Sequence, residues 1–74
     1  MRPADLRVNL QRVPFQPFRV YLTGGTFFDI RNWQLAQVHN STLEIGFPVE
    51  GDKQRFVTVA LIHIVWIEVL LPAP

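Results

Sequence analysis

His39 and His63 are the residues whose side chains come nearest to metal or acid–base chemistry. A metal site needs further His, Cys, Asp or Glu ligands at suitable spacing, and neither histidine has a carboxylate at such a spacing. Ser41 follows His39 by two residues, but residues two apart on a strand or turn seldom form a nucleophile–base pair. The spacing therefore predicts no metal site and no activated nucleophile.

Paired carboxylates and glycine-rich loops are the other arrangements that support catalysis. Glu50 and Asp52 stand close together in the sequence, but their segment reads as a solvated loop rather than a cleft that general acid–base work requires. Gly24-Gly25 is not followed by the Lys-Ser/Thr and helix of a phosphate-binding loop. We therefore expect a non-enzymatic chain with no cofactor and no small-molecule substrate.

Aromatic and basic residues point to a more specific chemistry, the binding of single-stranded RNA. Small β domains stack bases on exposed aromatic rings while arginines contact phosphates. The candidates are Tyr21, Phe27, Trp33 and Trp66 for stacking and Arg19, Arg31 and Arg55 for phosphate contact. The alternative is that these aromatic rings fill the core or a subunit interface.

The charge of the chain gives RNA binding little support. The net charge is +1, from seven Lys and Arg against six Asp and Glu. Residues 1–31 carry +3, from five arginines and two aspartates, whereas residues 32–74 carry −2. The arginines of the first half could face an anionic partner, and an ordinary solvated surface is the alternative.

Length and composition predict one small domain that needs additional stabilisation. With 74 residues, a domain buries only about 60% of its unfolded surface. The absence of cysteine excludes disulfides and thiolate metal sites, so a well-filled core and self-association remain. Hydrophobic residues make up 49% of the chain, which supplies such a core.

No targeting or membrane segment is expected. The first residues lack an apolar signal core, and the apolar run over residues 57–71 is shorter than the roughly 20 residues that span a bilayer. The absence of cysteine fits a reducing compartment. We therefore expect a cytoplasmic protein without a membrane partner.

Hydrophobic periodicity predicts a short helix followed by five strands. The helix covers residues 1–13, with Leu6, Leu10 and Val13 on one stripe. Strands are expected at 18–23, around 28–30, and at 42–47, 55–60 and 65–70. Between them we expect an irregular connection at 32–41, a polar loop at 48–54 with its tip at residues 51–52, and a tight 3₁₀ turn at 61–64.

Gly24-Gly25 predicts a hairpin between the first two strands. To keep apolar residues on one face, we expect Leu22 opposite Phe28 and Val20 opposite Ile30. Gly25 would then take the left-handed conformation of a bulged turn.

Five short, strongly bent strands in so few residues predict one small barrel. We expect a mostly-β single domain over residues 1–74, with the helix in 1–13 and an SH3/Sm-like barrel in 18–70.

Two sequence stretches resemble the Sm/LSm/Hfq superfamily. Residues 20–28 (VYLTGGTFF) resemble its first motif, an apolar strand that turns at a glycine, and residues 61–68 (LIHIVWIE) are similar in placement to its second. The resemblance implies a helix, a five-stranded SH3-like barrel and ring assembly. It also implies an RNA loop near Val38-His39-Asn40, with His63 close to the histidine of the second motif.

The chain also resembles a group of short uncharacterised bacterial proteins. Their Pro-Phe-x-Pro-Phe-Arg pattern is matched at residues 14–19, and their Val-x-Leu-x-His-Ile-x-x-Ile-Glu ending at residues 59–68. This resemblance covers nearly the whole chain and implies no function.

The C-terminal strands are apolar on both faces, so one face would fill the barrel and the other would need a cover. We hypothesise a homo-oligomer in which the fourth strand of one copy pairs with the fifth of its neighbour. The expected interface residues are Phe56, Val57, Val59, Val65, Trp66 and Ile67. In the alternative, an RNA-binding ring, the binding residues are Arg19, Tyr21, Arg31, Trp33, His39, Asn40, Arg55 and His63.

Overall fold

The computed structural model describes residues 1–48 and 54–70. These residues form one α-helix, six β-strands and two 3₁₀ turns. In chain order the elements are α1 (Pro3–Leu10), β1 (Phe18–Leu22), β2 (Phe27–Ile30), the first 3₁₀ turn (Trp33–Leu35), β3 (Ala36–Val38), β4 (Thr42–Pro48), β5 (Gln54–Ala60), the second 3₁₀ turn (Leu61–His63) and β6 (Ile64–Val69). The expected loop tip at residues 51–52 lies outside the described residues.

The strands form two separate antiparallel sheets of three strands each. Sheet A has the order β2-β1-β6, and sheet B has the order β3-β4-β5. The chain is mostly β with a short N-terminal helix, as expected. The prediction of a five-stranded SH3/Sm-like barrel is wrong, because the described residues contain six strands in two sheets and no closed barrel.

The additional strand, β3, lies in the segment that was expected to be an irregular connection. The Asn32 side chain accepts a hydrogen bond from the Gln34 nitrogen at 3.0 Å and so caps the first 3₁₀ turn. This turn separates β2 from β3, and Ala36–Val38 then pairs with β4 in sheet B. A strand of three residues is too short for alternation to reveal it.

The hairpin between β1 and β2 is displaced by two residues from the expected register. Val20 lies opposite Phe28 and Phe18 opposite Ile30, which keeps the predicted faces but moves every pair. Leu22 donates to the Thr26 oxygen at 2.7 Å, so the loop is residues 23–25. Both Gly24 and Gly25 have φ near +93°, a conformation that glycine adopts at little cost.

The core lies between the two sheets and the helix. Among the described residues, nine apolar side chains are buried and no polar or charged residue is. These are Leu6, Phe18, Val20, Ile30, Leu43, Ile45, Val59, Leu61 and Ile64. Every element except β3 and the first 3₁₀ turn contributes to this set, so the small core holds both sheets together.

Helix α1 packs on the core through Leu6, which is fully buried. Leu10 packs partly against the same core, but Val13 follows the helix and is 94% exposed, so the expected apolar stripe ends one turn early. The Met1 nitrogen donates to the Leu61 oxygen at 2.7 Å, which ties the start of the helix to the second 3₁₀ turn. No helix among the described residues has the length and apolar character needed to cross a membrane.

The second 3₁₀ turn, at residues 61–63, confirms the tight turn expected there. It joins β5 at one edge of sheet B to β6 at one edge of sheet A. The Leu61 nitrogen donates to the Ser41 oxygen at 2.9 Å, and the Thr23 nitrogen donates to the His63 oxygen at 2.9 Å. Two open sheet edges are thereby brought next to each other in the chain.

We expect Leu6→Ala to lower the free energy of unfolding by about 2–5 kcal/mol, because it removes a fully buried side chain and leaves a cavity. Val8→Ala is the control, since Val8 is 62% exposed on the same helix and its truncation should cost less than about 0.5 kcal/mol. Urea denaturation at one protein concentration measures both variants. Equal destabilisation would contradict the docking of α1 on the core.

Candidate functional site

The outer face of sheet A carries two rows of side chains that run across all three strands. Tyr21 lies directly opposite both Phe27 and Trp66, and these three residues form the aromatic row. Arg19 lies directly opposite both Asp29 and Glu68, and these three form the charged row. Both rows lie on the outside, because the alternating residues Phe18 and Val20 are fully buried.

The three rings of the aromatic row contact one another across the three strands of sheet A. The rings of Tyr21 and Trp66 are stacked, with centroids 3.8 Å apart and planes within 5°. The rings of Tyr21 and Phe27 are tilted, with centroids 5.7 Å apart. Phe27 and Trp66 remain 46% and 49% exposed. Because Tyr21 covers one face of the Trp66 ring, the other face is directed away from β1, towards the open edge of β6.

The charged row contains the strongest ion pair among the described residues. Arg19 binds Asp29 through two hydrogen bonds, from Nε to Oδ1 at 2.6 Å and from Nη2 to Oδ2 at 3.1 Å. The Arg19 guanidinium carbon also lies 4.0 Å from the centre of the Phe27 ring, a cation–π arrangement. Arg31 approaches the same carboxylate, with Nη2 3.4 Å from Oδ2.

The hydrogen bonds between Arg19 and Asp29 shift the pKa of both residues. The hydrogen bonds from Arg19 lower the pKa of Asp29, although partial burial opposes this shift. The hydrogen bond to Asp29 raises the pKa of Arg19. Arg19 therefore stays charged, and its charge is directed to Asp29 rather than to an external anion.

Glu68, at the other end of the charged row, has fewer polar contacts than Asp29 among the described residues. Its Oε1 accepts a hydrogen bond from the Tyr21 hydroxyl at 2.9 Å. Arg19 stands opposite Glu68 in the strand register, but its guanidinium is turned towards Asp29. Within the part of the chain that the structure describes, no Lys or Arg forms a salt bridge with Glu68. The row thus ends in a negative charge at the edge of sheet A.

The unpaired edges of β5 and β6 can be assigned from the hydrogen-bond alternation of antiparallel ladders. The bond from Leu61 N to Ser41 O, one position beyond the Thr42–Ala60 pair, places the backbone groups of Phe56 and Thr58 on the side away from β4.

On β6, Leu70 N donates to Pro17 O at 2.8 Å, one position beyond the Phe18–Val69 pair. By the same alternation, Ile67 and Val69 direct their backbone groups away from β1. Both strands therefore present N–H and C=O groups that the described sheets leave without a strand partner.

The structure places the expected RNA-binding residues on several elements rather than at one site. Arg19, Tyr21 and Arg31 lie together on or beside sheet A, through the contacts with Asp29 and the aromatic row. The other five are spread over the first 3₁₀ turn (Trp33), the connection that follows β3 (His39, Asn40), β5 (Arg55) and the second 3₁₀ turn (His63). His39 Nε2 lies 3.3 Å from Glu44 Oε2 in sheet B.

The expected interface residues divide into exposed and buried groups. Phe56, Val65 and Trp66 are 61%, 55% and 49% exposed, whereas Val59 is in the core at 6%. Val57 and Ile67 are half-buried. The apolar surface of the C-terminal strands therefore comes mainly from Phe56 on β5 and from Val65 and Trp66 on β6, together with Ile62 in the intervening turn, which is 81% exposed.

Asp29 and Glu68 are the functional candidates that sequence reasoning missed. The expected hairpin register would have placed Arg31 opposite Arg19, whereas the observed register places Asp29 there. Opposite charges on directly opposed residues are favourable and like charges are not. Charge pairing was therefore the signal in the sequence that would have found both the register and this ion pair.

An apolar cavity of about 330 Å³ lies between the end of β2 and the end of β4. Its lining is Asp29, Ile30, Arg31, Asn32, Leu35, Ile45, Gly46, Phe47 and Pro48. The ionisable residues of this described lining, Asp29 and Arg31, already contact each other. Among the described residues, no three His, Cys, Asp or Glu side chains lie close enough to hold a metal ion.

We expect the Arg19–Asp29 pair to make the stability of the fold depend on pH in the acid range. The pKa of Asp29 in the folded state lies below its ordinary value of 3.8, so its stabilising contribution is fully present above about pH 5 and is lost as the pH falls through the folded pKa. Asp29→Asn should therefore flatten the acid limb of the stability curve, measured by urea denaturation between pH 7 and pH 2.

The control is Asp5→Asn, which removes one negative charge at an exposed helix position where Arg2 lies 3.7 Å away. It should retain the acid limb of the parent. An unchanged acid limb in Asp29→Asn would contradict the role assigned to this pair.

Comparison with known proteins identified no relative of this chain. No family model, curated protein or solved structure matches the chain. The resemblances drawn from the sequence stay predictions, and function must be inferred from the surfaces themselves.

Proposed function

We propose that this chain is a non-enzymatic assembly module that forms a homo-oligomer by pairing β5 of one copy with β6 of the next. The observation that carries this proposal concerns β5 and β6, two of the four edge strands of the described sheets. Both strands direct backbone hydrogen-bonding groups away from their own sheet, and both carry large exposed apolar side chains.

The composition of the two edges favours pairing over protection. Edge strands of monomeric proteins are commonly blocked by several charges, by proline or by a bulge. Within the described part of β5, Arg55 is the only charged residue, and Phe56 is 61% exposed beside it. β6 has a register irregularity at its start but continues as the apolar run Trp66–Ile67 before Glu68. Such edges favour association with another strand.

The size of the domain supports the same conclusion. The core of nine buried side chains is small, and a chain of 74 residues without disulfides gains much from a subunit interface. Edge pairing would also cover Phe56 and Trp66, which are large apolar side chains that water otherwise contacts.

RNA binding is the second candidate, and the aromatic row is the observation that favours it. Exposed rings of Phe27 and Trp66 offer stacking surfaces. Against this, Asp29 forms a salt bridge with Arg19, and its Oδ2 lies 3.4 Å from Nη2 of Arg31. The two nearest arginines are therefore already paired with a carboxylate. We therefore prefer assembly as the primary function and regard the cytoplasm as the expected compartment.

Size-exclusion chromatography with light scattering, recorded at 260 and 280 nm, tests the choice between these functions. The assembly proposal predicts a defined oligomer whose absorbance ratio is that of protein alone. A defined oligomer with co-purifying nucleic acid would favour RNA binding. A monodisperse monomer would contradict the assembly proposal.

We expect Thr58→Pro to abolish association while leaving the fold intact. The Thr58 N–H is directed away from β4, so proline removes a donor that only a neighbouring strand would use. Thr58→Ala is the matched control, because it shortens the same side chain but keeps the N–H. Light scattering measures the mass and far-UV circular dichroism the fold; an oligomeric Thr58→Pro variant would contradict pairing at this edge.

We expect Trp66→Ala to weaken assembly or stability more than it weakens any affinity for nucleic acid. The substitution removes the ring stacked on Tyr21 at the edge of β6. Trp33→Ala is the control, since Trp33 is exposed to a similar extent, 51% against 49%, but lies away from both edges. Solution mass, thermal midpoint and fluorescence titration with single-stranded RNA are compared. Loss of RNA affinity with unchanged mass and midpoint would favour the second candidate.

A further inference from the structure

The charges at the two open edges are complementary, and this complementarity selects one arrangement of neighbouring copies. Glu68 ends the charged row of sheet A without a cationic partner among the described residues. Arg55 is exposed on β5 and likewise forms no salt bridge with any residue that the structure describes. Within the described residues, one edge therefore offers a negative charge without a cationic partner, and the other offers a positive charge without an anionic partner.

Backbone geometry limits how two such edges can meet. In an antiparallel pair, residues whose backbone groups are directed outward stand opposite each other and share a face. Phe56 and Thr58 on β5 must therefore face Ile67 and Val69 on β6. The allowed registers differ by two residues, and each brings a different residue of β5 opposite Glu68.

The register with Phe56 opposite Ile67 places Arg55 opposite Glu68. Shifting by two residues, so that Phe56 faces Val69, places Val57 opposite Glu68 and leaves both charges without a partner. Shifting two residues the other way moves Glu68 beyond Gln54, the first described residue of β5, and places Arg55 opposite Trp66. Among the described residues, only the first register brings Glu68 opposite a cationic side chain, and cross-strand charge pairing favours it.

We infer that Arg55 of one copy pairs with Glu68 of the next, an inference that rests on the proposed assembly through β5 and β6. The charged row then continues across the interface as Asp29, Arg19, Glu68 and the neighbouring Arg55, with alternating sign at every strand. Each copy supplies one arginine to a row that is incomplete without its neighbour.

The same register accounts for the orientation of Trp66. Val57 of the neighbouring copy then stands opposite Trp66, at the edge towards which the ring face left open by Tyr21 is directed. On the other side of the intermolecular sheet, Phe56 lies opposite the half-buried Ile67. The most exposed apolar side chain of β5 thus covers the neighbour's inner face.

Charge exchange tests the inference. Arg55→Glu alone and Glu68→Arg alone each place like charges at every interface, and each should weaken association by about 5–30-fold. An equimolar mixture of the two variants should recover the mass of the parent, because both kinds of contact between unlike copies then join opposite charges. Tyr21→Phe is the control for loss of the hydroxyl contact to Glu68 and should assemble like the parent.

Disulfide trapping tests the same register without depending on charge. Residues in a non-hydrogen-bonded antiparallel pair have Cα atoms about 4.5 Å apart, within the range for a disulfide, and the chain has no cysteine of its own. A mixture of Arg55→Cys and Glu68→Cys should form a covalent dimer on mild oxidation. The control mixture, Arg55→Cys with Val69→Cys, should not, because Val69 lies on the opposite face.

The outcomes separate the two proposals. A monomeric parent would overturn both the assembly function and this inference. An oligomeric parent whose variants show no recovery on mixing, and no disulfide between positions 55 and 68, would overturn the register while leaving assembly in place. Recovery and trapping together would support the inference.

Discussion

Nine buried apolar side chains among the described residues hold this domain together. Because this core is small, it covers only part of the surface of the two sheets, and the other features of the structure follow from that. They come from the helix, both sheets and the second 3₁₀ turn, and none of the described polar residues joins them. A core of this size covers one face of each sheet. The opposite faces and the outer strands remain in contact with water, so the molecule's binding properties follow from what those surfaces carry.

The outer face of sheet A shows how such a surface can be ordered without burial. Cross-strand neighbours on one face interact in sheets much as neighbours one turn apart do in helices. Here the neighbours form one aromatic row and one charged row, and the two rows interact through the Arg19 guanidinium beside the Phe27 ring. Arg19 and Asp29 are only 26% and 21% exposed, and the hydrogen bonds from Arg19 lower the pKa of Asp29 although partial burial opposes this shift. The same pairing reduces the capacity of Arg19 to bind a phosphate.

The outer edges of β5 and β6 differ from this ordered face, because no strand of the described chain pairs with their outward-directed backbone groups. β5 and β6 follow each other through a turn of three residues, yet they belong to different sheets. The 3₁₀ turn redirects the chain, so that β5 pairs with β4 and β6 pairs with β1. Each strand therefore keeps one open side, which the proposed assembly would cover with a second copy of the chain.

Local patterns in the sequence determined the elements: the alternation of Phe18–Leu22 and of Thr42–Phe47, the double glycine at 24–25 and the tight turn near Leu61 all appear in the fold. Tertiary structure decided the relations between them. The hairpin register moved by two residues because both glycines turn the chain, and β3 formed because β4 offered it a partner, not because its own three residues favour a strand. The Arg19–Asp29 pair and the aromatic row arise from these relations. Periodicity records which face a residue occupies but not which residue stands opposite it. Charge pairing could have given the register of the local β1–β2 hairpin, whereas the pairing of β1 with β6 depends on contacts between distant segments that no local pattern specifies.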